Sequence, residues 1–205
     1  MKGGEEPRAA LLLSVLAVGL MFDPAGFLRM TLACSAAHEA GHALAFRLCA
    51  GRWPHVRVAV GGAALGGAQS LSRGRLTAVL CAGPAANFLL AGALLLRAAQ
   101  KASYGAYFLA AVSLCVGLYN LLPLGALDGA RLIETWLPAR ACGAWARAQR
   151  LLVGFAVVAG AAGCAALPLP SAAKCAALLA PVYLLVQQHG AGGLQNCEKS
   201  GTILH

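Results

Sequence analysis

Long apolar segments dominate this 205-residue chain and constrain its fold more than any other feature. Hydrophobic residues make up 60% of the chain and charged residues 11%, whereas a soluble domain carries about 25% charged residues. A membrane-spanning helix needs about 20 apolar residues, with about 17 as the lower limit. Six segments approach or exceed that length: 9–22, 27–49, 76–96, 104–124, 151–167 and 172–186. The sequence therefore predicts an all-α polytopic membrane protein with about six transmembrane helices.

The distribution of positive charge predicts how these segments are oriented. A net charge of +9 is compatible with nucleic-acid binding, but the basic residues are dispersed between apolar segments, so no nucleic-acid partner is expected. When the N-terminus is placed in the cytoplasm, twelve of the sixteen Lys and Arg residues fall inside and four fall outside. The positive-inside rule then predicts a multi-pass membrane protein with both termini in the cytoplasm.

The loop between the second and third segments contains a short alternating pattern. Val56, Val58 and Val60 alternate with other residue types, which is typical of a strand, and the glycine pairs that follow allow turns. We predict a short membrane-associated β-hairpin here. A flexible glycine-rich loop is the alternative.

An HExxH motif lies in the middle of the second apolar segment, from His38 through Glu39 to His42. Residues i and i+4 share one face of a helix, so both imidazoles can reach one metal ion. Glu39 follows the first histidine, where it can act on a water at the metal without binding the metal itself. Ionisable residues inside a membrane helix are costly and are usually functional. The motif predicts a zinc hydrolase site, and a polar cluster that joins helices by hydrogen bonds is the alternative.

A catalytic zinc site usually takes three protein ligands, so a third ligand is expected outside the motif. Of the seven acidic residues, three lie in the tails and Asp23 falls at the opposite membrane face. Glu134 competes, but it follows Arg131 near the expected cytoplasmic surface. Asp128 lies in NLLPLGALDGA, whose Pro and Gly residues interrupt a helix, and such backbone is tolerated at membrane depth only where it lines a cavity. We predict Asp128 as the third ligand, with helix capping as the alternative role.

Three ordered motifs resemble the signatures of the site-2 protease family of intramembrane zinc metalloproteases. They are HEAGH at 38–42, GPAAN at 83–87 and NLLPLGALDGARL at 120–132. The compact layout is most similar to the sporulation branch that processes pro-sigma-K, the stage IV sporulation protein FB type. The resemblance implies a membrane metalloprotease domain at 9–188 in a bacterial cell membrane. It lies between cytoplasmic tails at 1–8 and 189–205, with no CBS or PDZ domain, and Ala130 replaces the Gly more usual after LDG.

The same resemblance implies the chemistry and the partners. One zinc ion per chain would be held by His38, His42 and Asp128, with Glu39 as general base and acid. Asn120 and Asn87 match family asparagines and would lie near the site, to orient substrate or to stabilise an oxyanion. Hydrogen bonding across helices explains both asparagines equally well. The implied partners are a membrane-embedded protein substrate and membrane proteins that inhibit or deliver the enzyme, in regulated intramembrane proteolysis.

Two functions of other classes remain open. A membrane metal transporter would use the His and Asp side chains as a transit site, although transport sites seldom need a Glu placed as in HExxH. A catalytically inactive scaffold that binds membrane helices is the second alternative. Zinc flux into proteoliposomes would favour transport, whereas cleavage of a membrane peptide without flux would favour the protease.

Overall fold

The computed structural model describes residues 20–21, 23, 26–59, 62–66, 71–125 and 127–166. Nearly all of the first predicted segment, the whole sixth segment and both predicted tail boundaries lie outside these residues. The described elements are, in chain order, α1 (Phe27–Ala50), β1 (His55–Ala59), β2 (Gly62–Gly66), α2 (Arg73–Gln100), α3 (Tyr104–Asn120), α4 (Asp128–Trp136), a 3₁₀ turn (Ala139–Ala141) and α5 (Cys142–Ala166).

The number of membrane-spanning helices corrects the fold-class prediction. Among the described residues, α2 is the one helix that is both long enough, at 28 residues, and apolar enough to cross a membrane. The polar residues of the HExxH motif lie in the middle of α1 and reduce its hydropathy, and α3 has 17 residues. The prediction of about six transmembrane helices is therefore wrong for this part of the chain. What the structure describes is a helical fold with one such candidate.

A pair of short strands joins α1 to α2. β1 and β2 run antiparallel, with His55 opposite Gly66 and Ala59 opposite Gly62. The association of this pair with a membrane stays a prediction. Because β1 follows α1 and β2 precedes α2, the strand pair lies at the end of the helices where α1 finishes and α2 begins.

Small residues let the first three helices approach closely. A methyl group added at Gly41 of α1 would lie 2.6 Å from the carbonyl oxygen of Ala82 and 2.8 Å from Cβ of Ala86 in α2. One added at Gly117 of α3 would lie 2.8 Å from the Phe88 ring. Helices in lipid associate through such close packing, because burial of apolar surface from lipid offers little driving force. The middle of α1 is thereby held directly against α2.

The start of α1 is fixed by residues that precede it. The backbone N–H of Arg29 donates to Asp23 Oδ2 at 3.1 Å, and the Arg29 guanidinium donates to the Asp23 carbonyl at 2.7 Å. Burial raises the pKa of Asp23, but the backbone N–H groups of residues 27–29 and the Arg29 side chain outweigh it, so the pKa is lowered. The ionised carboxylate therefore stabilises the positive end of the helix dipole.

Candidate metal centre

Two imidazoles and one carboxylate meet at one buried point. The Nε2 atoms of His38 and His42 lie 2.9 Å and 3.1 Å from Asp128 Oδ2, and 3.1 Å from each other. The three side chains are 6–9% exposed. His38 and His42 occupy adjacent turns of α1, whereas Asp128 is the first residue of α4. The structure thus brings together the three residues predicted as ligands from positions up to 90 residues apart.

The other ring nitrogen of each histidine also has a partner, and the two partners differ. His42 Nδ1 donates to the backbone carbonyl of Val79 in α2 at 2.7 Å. His38 Nδ1 lies 3.2 Å from the side-chain amide of Asn87, about two helical turns further along α2. Metal-bound histidines characteristically use the second ring nitrogen in this way, which fixes the ring orientation and the tautomer.

The chemistry of the three atoms fits a bound cation. A carbonyl only accepts, so neutral His42 carries its proton on Nδ1 and presents a lone pair at Nε2. That lone pair faces Asp128 Oδ2 and His38 Nε2. If His38 Nε2 carries a proton, it can donate to Asp128 Oδ2 or to His42 Nε2, but not fully to both. Buried, electron-rich atoms at such distances repel one another unless a positive charge lies between them. Two imidazoles and a carboxylate are also a donor set that zinc takes in catalytic sites.

Gly83 of α2 forms the wall against which both rings lie. A methyl group built there would come within 2.6 Å of His42 Cε1 and 2.7 Å of His38 Nε2. Pro84 follows immediately and cannot donate to the carbonyl of Leu80, so the helical hydrogen-bond ladder is interrupted beside the site. The Gly-Pro pair of the GPAAN motif thus leaves room on α2 for the imidazoles.

Asp128 is positioned by the turn between α3 and α4. Gly125 in this turn has φ of 58°, a left-handed conformation that glycine adopts without strain. Gly129 lies against the carbonyls of Leu121 and Leu122, where a Cβ would clash. The buried Gln149 of α5 also contacts this turn.

The Gln149 carboxamide bridges two backbone groups of this turn. Its Nε2 donates to the Pro123 carbonyl at 2.9 Å, and its Oε1 accepts from the Gly125 N–H at 2.8 Å. Gln149 is 7% exposed, so these bonds lie where water competes poorly. A residue 21 positions after Asp128 therefore holds the backbone that leads into it.

The remaining predicted site residues are placed differently. Glu39 is exposed next to His38 and is not part of the His-His-Asp group. The Asn120 side chain donates to the Val116 carbonyl of its own helix at 2.9 Å. Glu134, the competing third ligand, accepts a hydrogen bond from the Trp145 indole at 3.2 Å. Their catalytic or substrate roles stay predictions.

Sequence reasoning missed the Val79 carbonyl, the space at Gly83 and the Gln149 bridge. A backbone carbonyl has no signature in a sequence, so Val79 could not have been found. Gly83 is the first residue of the GPAAN motif, but its role follows only from the packing of α2 against α1, which brings Gly83 next to both histidines. Gln149 carried one usable signal, since it is a polar residue next to the apolar segment that begins at Leu151.

The helices bring two imidazoles and a carboxylate to one buried point. The chain is therefore a helical protein with a candidate metal centre. Its fold is similar to that of the site-2 protease from Methanocaldococcus jannaschii, with a TM-score of 0.64 over 88% of this chain and 86% of that chain. The two sequences are 17% identical, so the likeness concerns the fold. No family model matches the chain, and a search of curated proteins finds no match.

Proposed function

We propose that this chain is an intramembrane zinc endopeptidase that cleaves a membrane-embedded regulatory protein. The observation that carries the proposal is the convergence of His38, His42 and Asp128 within 3.1 Å of one another. The similarity in fold to a site-2 protease supports the same reaction class. Glu39 supplies the remaining element of a hydrolase, a carboxylate beside one ligand.

Zinc is the metal that this donor set favours, held by His38, His42 and Asp128. When bound, zinc would polarise the scissile carbonyl and make hydroxide available near neutral pH. The protein holds the ligands ready for this: Val79 fixes the His42 ring and the α3–α4 turn fixes Asp128. Burial of all three side chains strengthens their electrostatic effect on a substrate.

The position of Glu39 supports a role in proton transfer. Its side chain is exposed beside a buried ligand, so a substrate can approach it from the surface of the helices. In the proposed reaction, the Glu39 carboxylate takes a proton from the attacking water and returns it to the departing amine. A carboxylate that itself bound the metal would lose this capacity, and Glu39 lies outside the group of three.

The outer surface of the described helices supports a membrane location. Large apolar side chains project outward along several helices, including Leu48 (77% exposed), Leu89 (75%), Leu151 (74%) and Phe155 (73%). Aromatic side chains lie exposed toward opposite helix ends, with Tyr104 at the start of α3 and Trp53 after α1. Aromatic residues near helix ends are typical of membrane–water interfaces. A substrate that reaches Glu39 across such a surface would itself be membrane-embedded.

The more specific assignment is cleavage of a membrane-associated pro-sigma factor during sporulation. It is supported by the resemblance of the HEAGH, GPAAN and NLLPLGALDGARL motifs to the sporulation branch. The proposed substrate is thus a pro-sigma factor, and the proposed partners are membrane proteins that deliver or inhibit the enzyme.

The test is the Glu39→Gln variant, examined for zinc content and for cleavage of a co-expressed, membrane-tethered pro-sigma factor. Glutamine keeps nearly the same volume but cannot accept the proton. We expect full zinc content with cleavage reduced at least about 100-fold, the lower end of general acid–base contributions. Glu134→Gln is the matched control, because Glu134 lies outside the His-His-Asp group, and it should cleave at the wild-type rate.

Two outcomes would contradict the proposal. Cleavage at the wild-type rate by zinc-loaded Glu39→Gln would mean that another residue moves the proton. Zinc flux into proteoliposomes by a wild-type protein that cleaves no membrane-tethered precursor would favour the transporter.

A further inference from the structure

We propose that Asn87 is a positioning residue for His38: its carboxamide pairs with His38 Nδ1 in either tautomer and thereby lets the ring present its Nε2 lone pair to a metal. This inference deepens the proposed function and rests on its metal site, but not on proteolysis. It assigns to Asn87 a role different from the substrate or oxyanion contact that the sequence suggests.

The observations concern one buried side chain. Asn87 is completely buried, and its Nδ2 lies 3.2 Å from His38 Nδ1. Within the described part of the chain, Asn87 Oδ1 is the one buried side-chain polar atom that has no hydrogen-bond partner. A buried acceptor left unpaired costs about 1–3 kcal/mol, so its presence beside a candidate metal ligand requires an explanation.

The arrangement as it stands matches His38 with its proton on Nε2. The Asn87 amide N–H then donates to the unprotonated Nδ1, and His38 Nε2–H donates to Asp128 Oδ2 at 2.9 Å. In this tautomer Nε2 has no lone pair to offer. His38 is thereby in the form that does not bind a metal through Nε2.

A metal at Nε2 requires the other tautomer. The proton of neutral His38 must then reside on Nδ1, where it would point at the Asn87 amide hydrogens. Rotation of the carboxamide by 180° brings Oδ1 to the same place, so that the orphaned acceptor receives the Nδ1 proton. The oxygen and nitrogen of an amide have nearly the same shape, so this exchange needs no other movement.

The surroundings hold Asn87 in place for this exchange. The Ser113 hydroxyl of α3 donates to the Asn87 backbone carbonyl at 2.9 Å. A methyl built at Gly117 would lie 3.3 Å from Asn87 Cβ, so α3 passes close to this position. With its backbone and Cβ confined, the amide of Asn87 stays within reach of His38.

The two histidines therefore differ in how their tautomers are set. His42 faces a backbone carbonyl, which only accepts, so neutral His42 presents a lone pair at Nε2. His38 faces a side chain that can donate or accept, so the identity of residue 87 determines its tautomer. Of the two contacts, the one to Asn87 can therefore be changed by substitution, whereas the one to the Val79 backbone cannot.

The test compares Asn87→Leu and Asn87→Asp with the wild type, as purified full-length chains in detergent. Zn²⁺ affinity is measured by competition with a chelator, and the His38 ring tautomer by nitrogen NMR of ¹⁵N-histidine protein, assigned with His38→Gln. Leucine has a similar volume but no hydrogen-bonding group, and we expect about 10- to 100-fold weaker Zn²⁺ binding, as for loss of other outer partners. Aspartate only accepts, so metal-free Asn87→Asp should carry a proton on His38 Nδ1, which the metal-free wild type lacks.

Gly92→Ala is the control, because Gly92 lies on the same helix as Asn87 and nothing lies within 4 Å of the added Cβ. It should bind Zn²⁺ within about threefold of the wild type. The proposal is overturned if Asn87→Leu binds Zn²⁺ as tightly as the wild type, or if His38 Nδ1 carries no proton in metal-free Asn87→Asp. These readouts do not involve peptide cleavage, so a failure of the protease proposal would leave them intact and distinguishable.

Discussion

His42 Nδ1 lies 2.7 Å from the backbone carbonyl of Val79, and this contact commits the His42 ring to one tautomer. Because the carbonyl cannot donate, the proton stays on Nδ1 and Nε2 is left to face Asp128. The contact joins α1 to α2 close to Pro84, where the hydrogen-bond ladder of α2 is already interrupted. One candidate ligand is thereby fixed by the backbone, independently of the side chains that substitution could change.

The first prediction concerns metal stoichiometry. We expect purified wild-type protein to hold one zinc per chain and Asp128→Ala to hold close to none, because the loss of the carboxylate leaves two imidazoles without a third ligand. Glu134→Ala should keep the full stoichiometry, since Glu134 pairs with Trp145 and not with the histidines. Elemental analysis of the three proteins decides this, and zinc loss in Glu134→Ala with retention in Asp128→Ala would reverse the ligand assignment.

The second prediction concerns orientation in a membrane. The end at which α1 finishes and α2 starts carries Arg47, Arg52, Arg73 and Arg75, and the opposite end carries Arg29, Arg97 and Lys101. Asp23 further offsets Arg29 at 3.5 Å. The positive-inside rule then places the arginine-rich end in the cytoplasm. A phosphatase fused after Lys101 should be active outside, and a fluorescent reporter fused after Pro54, before α2, should be fluorescent inside; the reverse pattern would refute this orientation of α2.

The third prediction uses two glycines of the same helix. Gly83→Ala would place a methyl group 2.7 Å from His38 Nε2, so the imidazoles could no longer converge, and we expect at least tenfold weaker Zn²⁺ binding. Gly92→Ala is the matched control, because nothing lies within 4 Å of the added Cβ. It should leave Zn²⁺ binding unchanged and raise the stability of α2 by about 0.5–1 kcal/mol. Chelator competition and thermal unfolding measure the two effects, and equal Zn²⁺ affinities in both variants would show that Gly83 does not define the site.

The sequence was sufficient to locate the site because its chemistry is local. The i, i+4 spacing of His38 and His42 predicts a shared helical face, and helix α1 places both rings there. The fourth segment was predicted at 104–124, and α3 ends at Asn120 where the turn toward Asp128 begins. Backbone-breaking residues in that turn indicated the position of the third candidate ligand, which the structure brings to both histidines.

The wrong predictions concern the number of membrane-spanning helices and the backbone around Asp128, both of which depend on tertiary packing. Apolar composition predicts burial but does not separate burial in lipid from burial in protein. The predicted number of spanning helices is wrong at α1, where His38, Glu39 and His42 lower the hydropathy of the helix. The Pro and Gly residues of NLLPLGALDGA, at 120–130, predict interrupted backbone, but Gly129 is the second residue of the helix Asp128–Trp136. In the folded protein, Gly129 permits the first turn of α4 to lie against the carbonyl end of α3.

The last prediction concerns Gln149, whose amide bridges Pro123 and Gly125 in the turn before Asp128. Gln149→Leu removes the carboxamide and leaves the partly buried Gly125 N–H and Pro123 carbonyl without these partners, at a cost of at most about 1–3 kcal/mol each. Because the turn leads directly into the third ligand, we expect both a lower unfolding temperature and weaker Zn²⁺ binding. Gln149→Glu should bind more tightly than Gln149→Leu, since its carboxylate still accepts from the Gly125 N–H. Gln100→Leu, at the exposed end of α2, is the control and should change neither quantity. A Gln149→Leu protein that loses stability but binds Zn²⁺ as the wild type does would show that the bridge supports the fold without positioning Asp128.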